Sequence, residues 1–100
     1  MKEDFVRTGT MYIVSNFRRT VFYTGVTSNL HTRIYQHKNG EGSVFTRKYN
    51  LHYLMYYEEL SSIEQAIQRE KQIKRWHRDW KINLIKSINP EMKDLSEGWY

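Results

Sequence analysis

Tyr12, Tyr23, Arg33, His37 and Glu70 are side chains that, so arranged along the chain, could act on a phosphate. Arg33 and His37 stand four residues apart, so on a helix they share a face with Leu30 and Ile34. An arginine stays charged at any working pH and can hold a phosphate with two hydrogen bonds. A histidine can donate to a phosphate or shuttle a proton. On an ordinary helix the same pair is simply two solvated residues. Glu70 lies seven residues after Ile63 and three before Ile73, within an apolar stripe that also holds Ala66 and Ile67. A carboxylate on such a stripe is costly unless it is paired, hydrogen-bonded or bound to a metal ion. Its ordinary partner would be Lys74, one helical turn later. Tyr12 and Tyr23 fall in strand-like segments. A tyrosine hydroxyl near a cation can polarise or deprotonate a water, although most strand tyrosines only pack. Gly25, just after Tyr23, permits close approach or a positive φ, and a turn is its ordinary use.

The surrounding charge favours an anionic partner. The chain has 16 Lys and Arg against 11 Asp and Glu, a formal net charge of +5. A basic surface attracts polyanions, nucleic acid first and anionic membrane second. Between Arg69 and Lys81, the basic residues Lys71, Lys74, Arg75 and Arg78 are interleaved with Trp76, His77 and Trp80. Such a mixture suits a nucleic-acid backbone and its bases, and equally a solvated basic helix. Lys74, Arg75 and Arg78, with Gly25, are the candidate nucleic-acid contacts. The absence of Cys excludes disulfides, thiolate catalysis and Cys-rich zinc sites. No His pair stands at zinc spacing with a third ligand, and no phosphate-cradling glycine loop is present. No apolar run approaches a membrane span, and residues 1–7 contain no apolar stretch of signal-peptide length. The expectation is a cytoplasmic protein with no membrane partner and no small-molecule cofactor.

The elements that must position these residues follow from periodicity. At 100 residues, with 39% hydrophobic and 27% charged, the chain should fold around one modest core. Its only proline, Pro90, gives no internal break, so one domain is expected over 1–100, with a core at about 10–88 and a tail at 89–100. Residues 10–15 and 21–24 are β-branched and aromatic, and read as a hairpin whose second strand ends at Gly25. Thr27, Ser28 and Asn29 offer N-caps to a helix over 29–38, and Asn39-Gly40-Glu41-Gly42-Ser43 begins a loop. Residues 51–58 read as the clearest strand. Ser61 and Ser62 then cap a longer helix, with Glu64 and Gln65 placed for a capping box. Its apolar marks continue to Trp76. A last helix over 79–88 carries Trp80, Leu84, Ile85 and Ile88, and Asn89-Pro90 stops it. The order is β-β-α-β-α-α, an α/β (α+β) fold with a small, mainly antiparallel three-stranded sheet flanked by helices.

In this order and spacing the set resembles the GIY-YIG nuclease superfamily, and more closely its small stand-alone bacterial members. Thr10-Met11-Tyr12 and Phe22-Tyr23-Thr24-Gly25-Val26-Thr27 carry the two tyrosine signatures. Arg33-Ile34-Tyr35-Gln36-His37, Glu70-Lys71-Gln72-Ile73-Lys74 and Asn89-Pro90-Glu91 leading to Asp94-Leu95 complete the likeness, from about residue 10 to about residue 95. The sequence departs from the pattern in keeping only Tyr12 of "GIY" and only Tyr23 and Gly25 of "YIG", and in placing Val26 where some members have Lys. The resemblance implies roles. One of Tyr12 and Tyr23 helps activate the attacking water, Arg33 contacts the scissile phosphate, and His37 matches a histidine found one turn later in many members. Glu70 matches the carboxylate that binds a single divalent ion, Mg²⁺ or Mn²⁺. Asn83 is the candidate for an asparagine that many members carry after the metal-binding helix. The implied function is metal-dependent endonucleolytic hydrolysis of DNA, in repair or recombination, with targeting by shape or by a protein partner. The alternative is a nucleic-acid-binding module of the same fold without catalysis.

Overall fold

The computed structural model describes residues 8–100, so the segment 1–7 considered above lies outside the described residues. Its centre is β1 (Gly9–Ser15), every residue of which is buried. β1 pairs antiparallel with β2 (Phe22–Thr27) on one side and with β3 (Tyr53–Leu60) on the other, giving the order β2-β1-β3. A central strand covered on both faces reads as a continuous apolar run, which is why 10–15 shows no polar alternation. Met11 and Ile13 point into one cluster with Ile73 and Ile85, while Tyr12 and Val14 point into another with Ile34, Leu51 and Leu54. Opposite Ile13 and Val14, β3 steps from Tyr56 to Leu54, leaving Met55 as an extra residue. This bulge turns Met55 and Tyr56 into the same cluster while Leu54 enters the other.

β2 does not end at Gly25 but runs on to Thr27, so Gly25 sits inside a strand opposite Tyr12. α1 (Leu30–Lys38) is capped by Asn29, whose side chain accepts from Thr32 N, while Thr27 Oγ1 accepts from Asn29 N. The stretch after α1 is more than a loop. Ser43 caps a one-turn helix, α2 (Val44–Lys48), too short to show apolar periodicity in the sequence. The element order is therefore β-β-α-α-β-α-α, the expected series with one short helix added.

α3 (Ile63–Lys74) starts at Ser62, whose hydroxyl accepts from Gln65 N. The Gln65 side-chain oxygen accepts from Ser61, in place of the reciprocal bond of a capping box. Gly9 lets α3 lie directly on β1, because a Cβ there would stand 2.7 Å from Ile63 Cα and 2.9 Å from Ala66 Cβ. Ala66 and Ile73 are buried, but Ile67 is exposed, since it falls at the margin of the face that meets the sheet. In α4 (Arg78–Ile88), Ile85 is buried and Leu84 partly so, whereas Trp80 and Ile88 are exposed. The helix therefore buries a narrower stripe than its apolar residues define.

The tail is bonded into the body. Asn89 Nδ2 donates to Met55 O and Lys93 O, and Asn89 Oδ1 accepts from Lys93 N. Asp94 accepts from Leu54 N, Ser96 and Lys38 Nζ, which holds Leu95 and Trp99 against the cluster that includes Ile34. Among the described residues no helix is long and apolar enough to cross a membrane.

Candidate active site

The Tyr12 side chain lies across its cross-strand partner Gly25. A Cβ on Gly25 would fall 2.5 Å from the Tyr12 hydroxyl, so only glycine leaves room for the ring. Gly25 is buried behind that tyrosine, which takes the space a nucleic acid would need to reach its backbone from that side. From there the Tyr12 hydroxyl meets His37 Nε2 at 2.9 Å. His37 is buried on the inner face of α1, and Gly42 seats its other edge, because a Cβ on Gly42 would collide with His37 Nδ1 and Thr46 Oγ1. His37 Nδ1 is buried without a hydrogen-bond partner among the described residues.

Tyr23 closes the cluster. Its ring lies 6.5 Å from Tyr12, 6.2 Å from His37 and 6.1 Å from Phe45, centroid to centroid. From α3, Glu70 holds Lys74 Nζ at 2.6 Å, and the same ammonium sits 5.7 Å from the centre of the Tyr23 ring. The Glu70 side chain is only 15% exposed. The ordinary partner of Glu70 is thus present, and it lies beside Tyr23.

The electrostatics tie in the remaining members. Burial, the neighbouring Tyr23 and the Glu70 carboxylate push the Tyr12 hydroxyl well above the usual tyrosine range, while the Arg33 guanidinium opposes them. Burial and the positive charges of Arg33 and His52 push His37 down to about 4. His37 is therefore neutral near pH 7 and keeps an acceptor nitrogen. Tyr12 keeps its proton until something accepts it. Arg33, half-buried one turn before His37, acts on both groups. Tyr12, Tyr23 and His37 therefore meet directly, Glu70 reaches Tyr23 through Lys74, and Arg33 and Glu70 lie near enough for their charges to act on Tyr12.

The other candidates divide. Lys74 joins this cluster through Glu70 and Tyr23. Arg75 lies on the outer face of α3 with Gln68, Lys71, Gln72 and Trp76. Arg78 Nη2 donates to Thr20 O, and its guanidinium covers the Phe22 ring, fastening the start of α4 to the β1–β2 turn. Arg69 is engaged by Glu58 through Nε and Nη2. The basic segment is thus several faces, not one. Asn83 is exposed on α4, and the buried asparagine of this region is Asn89, held by backbone groups. Gly42 and Phe45 are neighbours of the site that sequence reasoning missed. Gly42 was visible only as part of a loop, and Phe45 needs α2 to bring it to Tyr23.

Among the described residues no three His, Asp or Glu gather to cage a metal ion. Magnesium needs no such cage, since it commonly binds through one or two carboxylates, several waters and substrate phosphate oxygens. A single carboxylate at the edge of the tyrosine cluster fits that chemistry, provided that Lys74 gives way to the ion.

Residues 8–83 match the model of the GIY-YIG catalytic domain. The chain is 42% identical over 71 residues to a UPF0213 protein of Clostridium perfringens, covering 69% of this chain and 76% of that protein. It is 38% identical over 63 residues to a UPF0213 protein of Staphylococcus haemolyticus, covering 63% and 77%. The solution NMR structure of a UPF0213 protein from Bacillus halodurans superposes with a TM-score of 0.55 at 25% identity, covering 91% of this chain and 97% of that one. The order of strands and helices, the converging tyrosines, arginine and glutamate, and a family match spanning most of the sequence lead to one assignment: the chain belongs to the GIY-YIG nuclease family.

Proposed function

We propose that this protein is a divalent-metal-dependent endonuclease that hydrolyses phosphodiester bonds in DNA, in repair or recombination. The observation that carries the reading is the Tyr12–His37–Tyr23 cluster, with Glu70 linked to it through Lys74 and the charge of Arg33 acting on Tyr12 and His37. Arg33 receives the non-bridging oxygens of the scissile phosphate, where its fixed charge offsets the charge that grows during attack. Tyr12 orients the attacking water. As the water's proton moves to the Tyr12 oxygen, the Tyr12 proton moves along the existing 2.9 Å contact to His37 Nε2. Phosphate bound at Arg33 neutralises one of the charges that depress His37, which raises the basicity of the imidazole when substrate is present. Tyr23 walls the site and excludes bulk water. The new P–O bond forms as the bond to the leaving oxygen breaks, and that oxygen takes its proton from solvent. A divalent ion held by Glu70 would supply charge stabilisation at the leaving oxygen.

The test is incubation of the full chain with labelled single-stranded, duplex, flap and branched DNA, with Mg²⁺ or Mn²⁺. The expected result is metal-dependent cleavage of at least one of them. Salt-sensitive binding without cleavage on any substrate would favour the non-catalytic module, for which the net charge of +5 is the supporting observation.

A further inference from the structure

Lys74 is not placed like an ordinary surface lysine. Its side chain is 49% exposed, yet the ammonium turns inward, 2.6 Å from Glu70 Oε2 and 5.7 Å from the centre of the Tyr23 ring. It thus lies between the site's carboxylate and one of its tyrosines. Two cations of the same segment are engaged elsewhere, Arg69 by Glu58 and Arg78 by Thr20 O and Phe22, while Lys81 stands near enough to Lys74 to feel its charge. Among the described residues Lys74 is the cation that Glu70 holds.

A carboxylate oxygen paired with an ammonium at 2.6 Å cannot also take a divalent ion without bringing the two cations within a few ångströms of each other. At that separation like charges repel appreciably even near a protein surface. The tether permits an exchange, because a lysine is a point charge on a flexible four-carbon stem and the Lys74 side chain is half exposed. The aromatic face offers the ammonium a second, modest attraction that steadies it over the site.

We propose that Lys74 is the resident cation of the Glu70 carboxylate: it holds Glu70 aimed into the site, and a divalent ion enters by displacing it. The proposal rests on the reading of Glu70 as the metal-binding carboxylate. It makes Lys74 a positioning residue that sets metal affinity. A substrate phosphate that draws the ammonium away would also strengthen metal binding, and the coupling would be reciprocal.

The experiment is a titration of the full chain with Mn²⁺ alone, reading free ion by electron paramagnetic resonance without DNA. Lys74→Met should bind Mn²⁺ about five-fold more tightly than the wild type, the change that release from the upper range of a surface ion pair corresponds to. Lys74→Arg, which keeps the charge, should stay near wild type, and Glu70→Gln should lose the site. Melting curves of each variant verify folding. A bond that is merely structural would lower the melting temperature of Lys74→Met without tightening Mn²⁺. Unchanged or weaker Mn²⁺ binding by Lys74→Met overturns the proposal. If Glu70→Gln still loses the ion in that case, the metal reading of Glu70 stands. Binding by Glu70→Gln equal to wild type would sink both.

Discussion

His37 is the residue where burial, charge and hydrogen bonding meet. It is buried at the end of α1 and shares a 2.9 Å contact with Tyr12, and Gly42 leaves the space its ring occupies. Its pKa falls from 6.5 to about 4 in the folded chain. Between those values the unfolded chain binds more protons than the folded one, so stability rises with pH there. The contribution is complete above about pH 6.5, is lost as pH falls through the window, and levels off below about 4. The shift corresponds to on the order of 3 kcal/mol. His52, also shifted down by burial and by Lys38, adds a slope of the same sign. Urea melts of the wild type and His37→Gln from pH 4 to 7 check this: the variant should lose most of the slope, and an unchanged slope would contradict the assignment. At this scale much was legible. The four-residue spacing placed Arg33 with His37, and a carboxylate on an apolar stripe singled out Glu70 and its Lys74 partner. The purpose of Gly25 was not legible, because it depends on the cross-strand register with Tyr12, which no local pattern contains.

The elements were predictable in type and less so in extent. β1, β3, α1 and α3 follow from runs and periods that each segment carries by itself. The extension of β2 past Gly25 follows from pairing with β1, and the shift at Met55 from the bulge in β3. α2 was hidden because one turn of helix has too few residues for a period, yet it carries Phe45 to Tyr23 and Thr46 to the Gly42 seat. Gly42→Ala tests that arrangement. The added methyl would overlap His37 and Thr46, both buried, and overpacking of this kind costs about 1–3 kcal/mol. For a domain of this size that predicts a fall in melting temperature of at least about 4 °C, together with reduced cleavage as His37 is pushed from Tyr12. A melting temperature unchanged from wild type would show that the seat is loose.

The whole molecule is a sheet covered on both faces, with its C-terminal segment bonded across one end. The sequence reads as one domain with a core at about 10–88 and a tail at 89–100, and the tail residues that bond to the core were visible only through the family resemblance. Asp94 accepts hydrogen bonds from Leu54 N and Ser96 and pairs with Lys38 of α1, the helix that also carries Arg33 and His37. Lys38 and the backbone hold the Asp94 carboxyl below the usual carboxylate range. Asp94→Ala would leave the Leu54 N–H without its acceptor and Lys38 Nζ with only His52 O, a loss of about 1–3 kcal/mol by urea denaturation. A variant as stable as wild type would show that the tail adds nothing.

If these elements assemble one reaction centre, Glu70 must serve its chemistry. The most direct measurement is single-turnover DNA cleavage in Mg²⁺ by wild type and Glu70→Ala, with DNA affinity of both measured by fluorescence anisotropy at the same salt. Cleavage should disappear in Glu70→Ala while affinity stays close to wild type. Cleavage that survives the substitution, or affinity that vanishes along with it, would contradict the role given to Glu70.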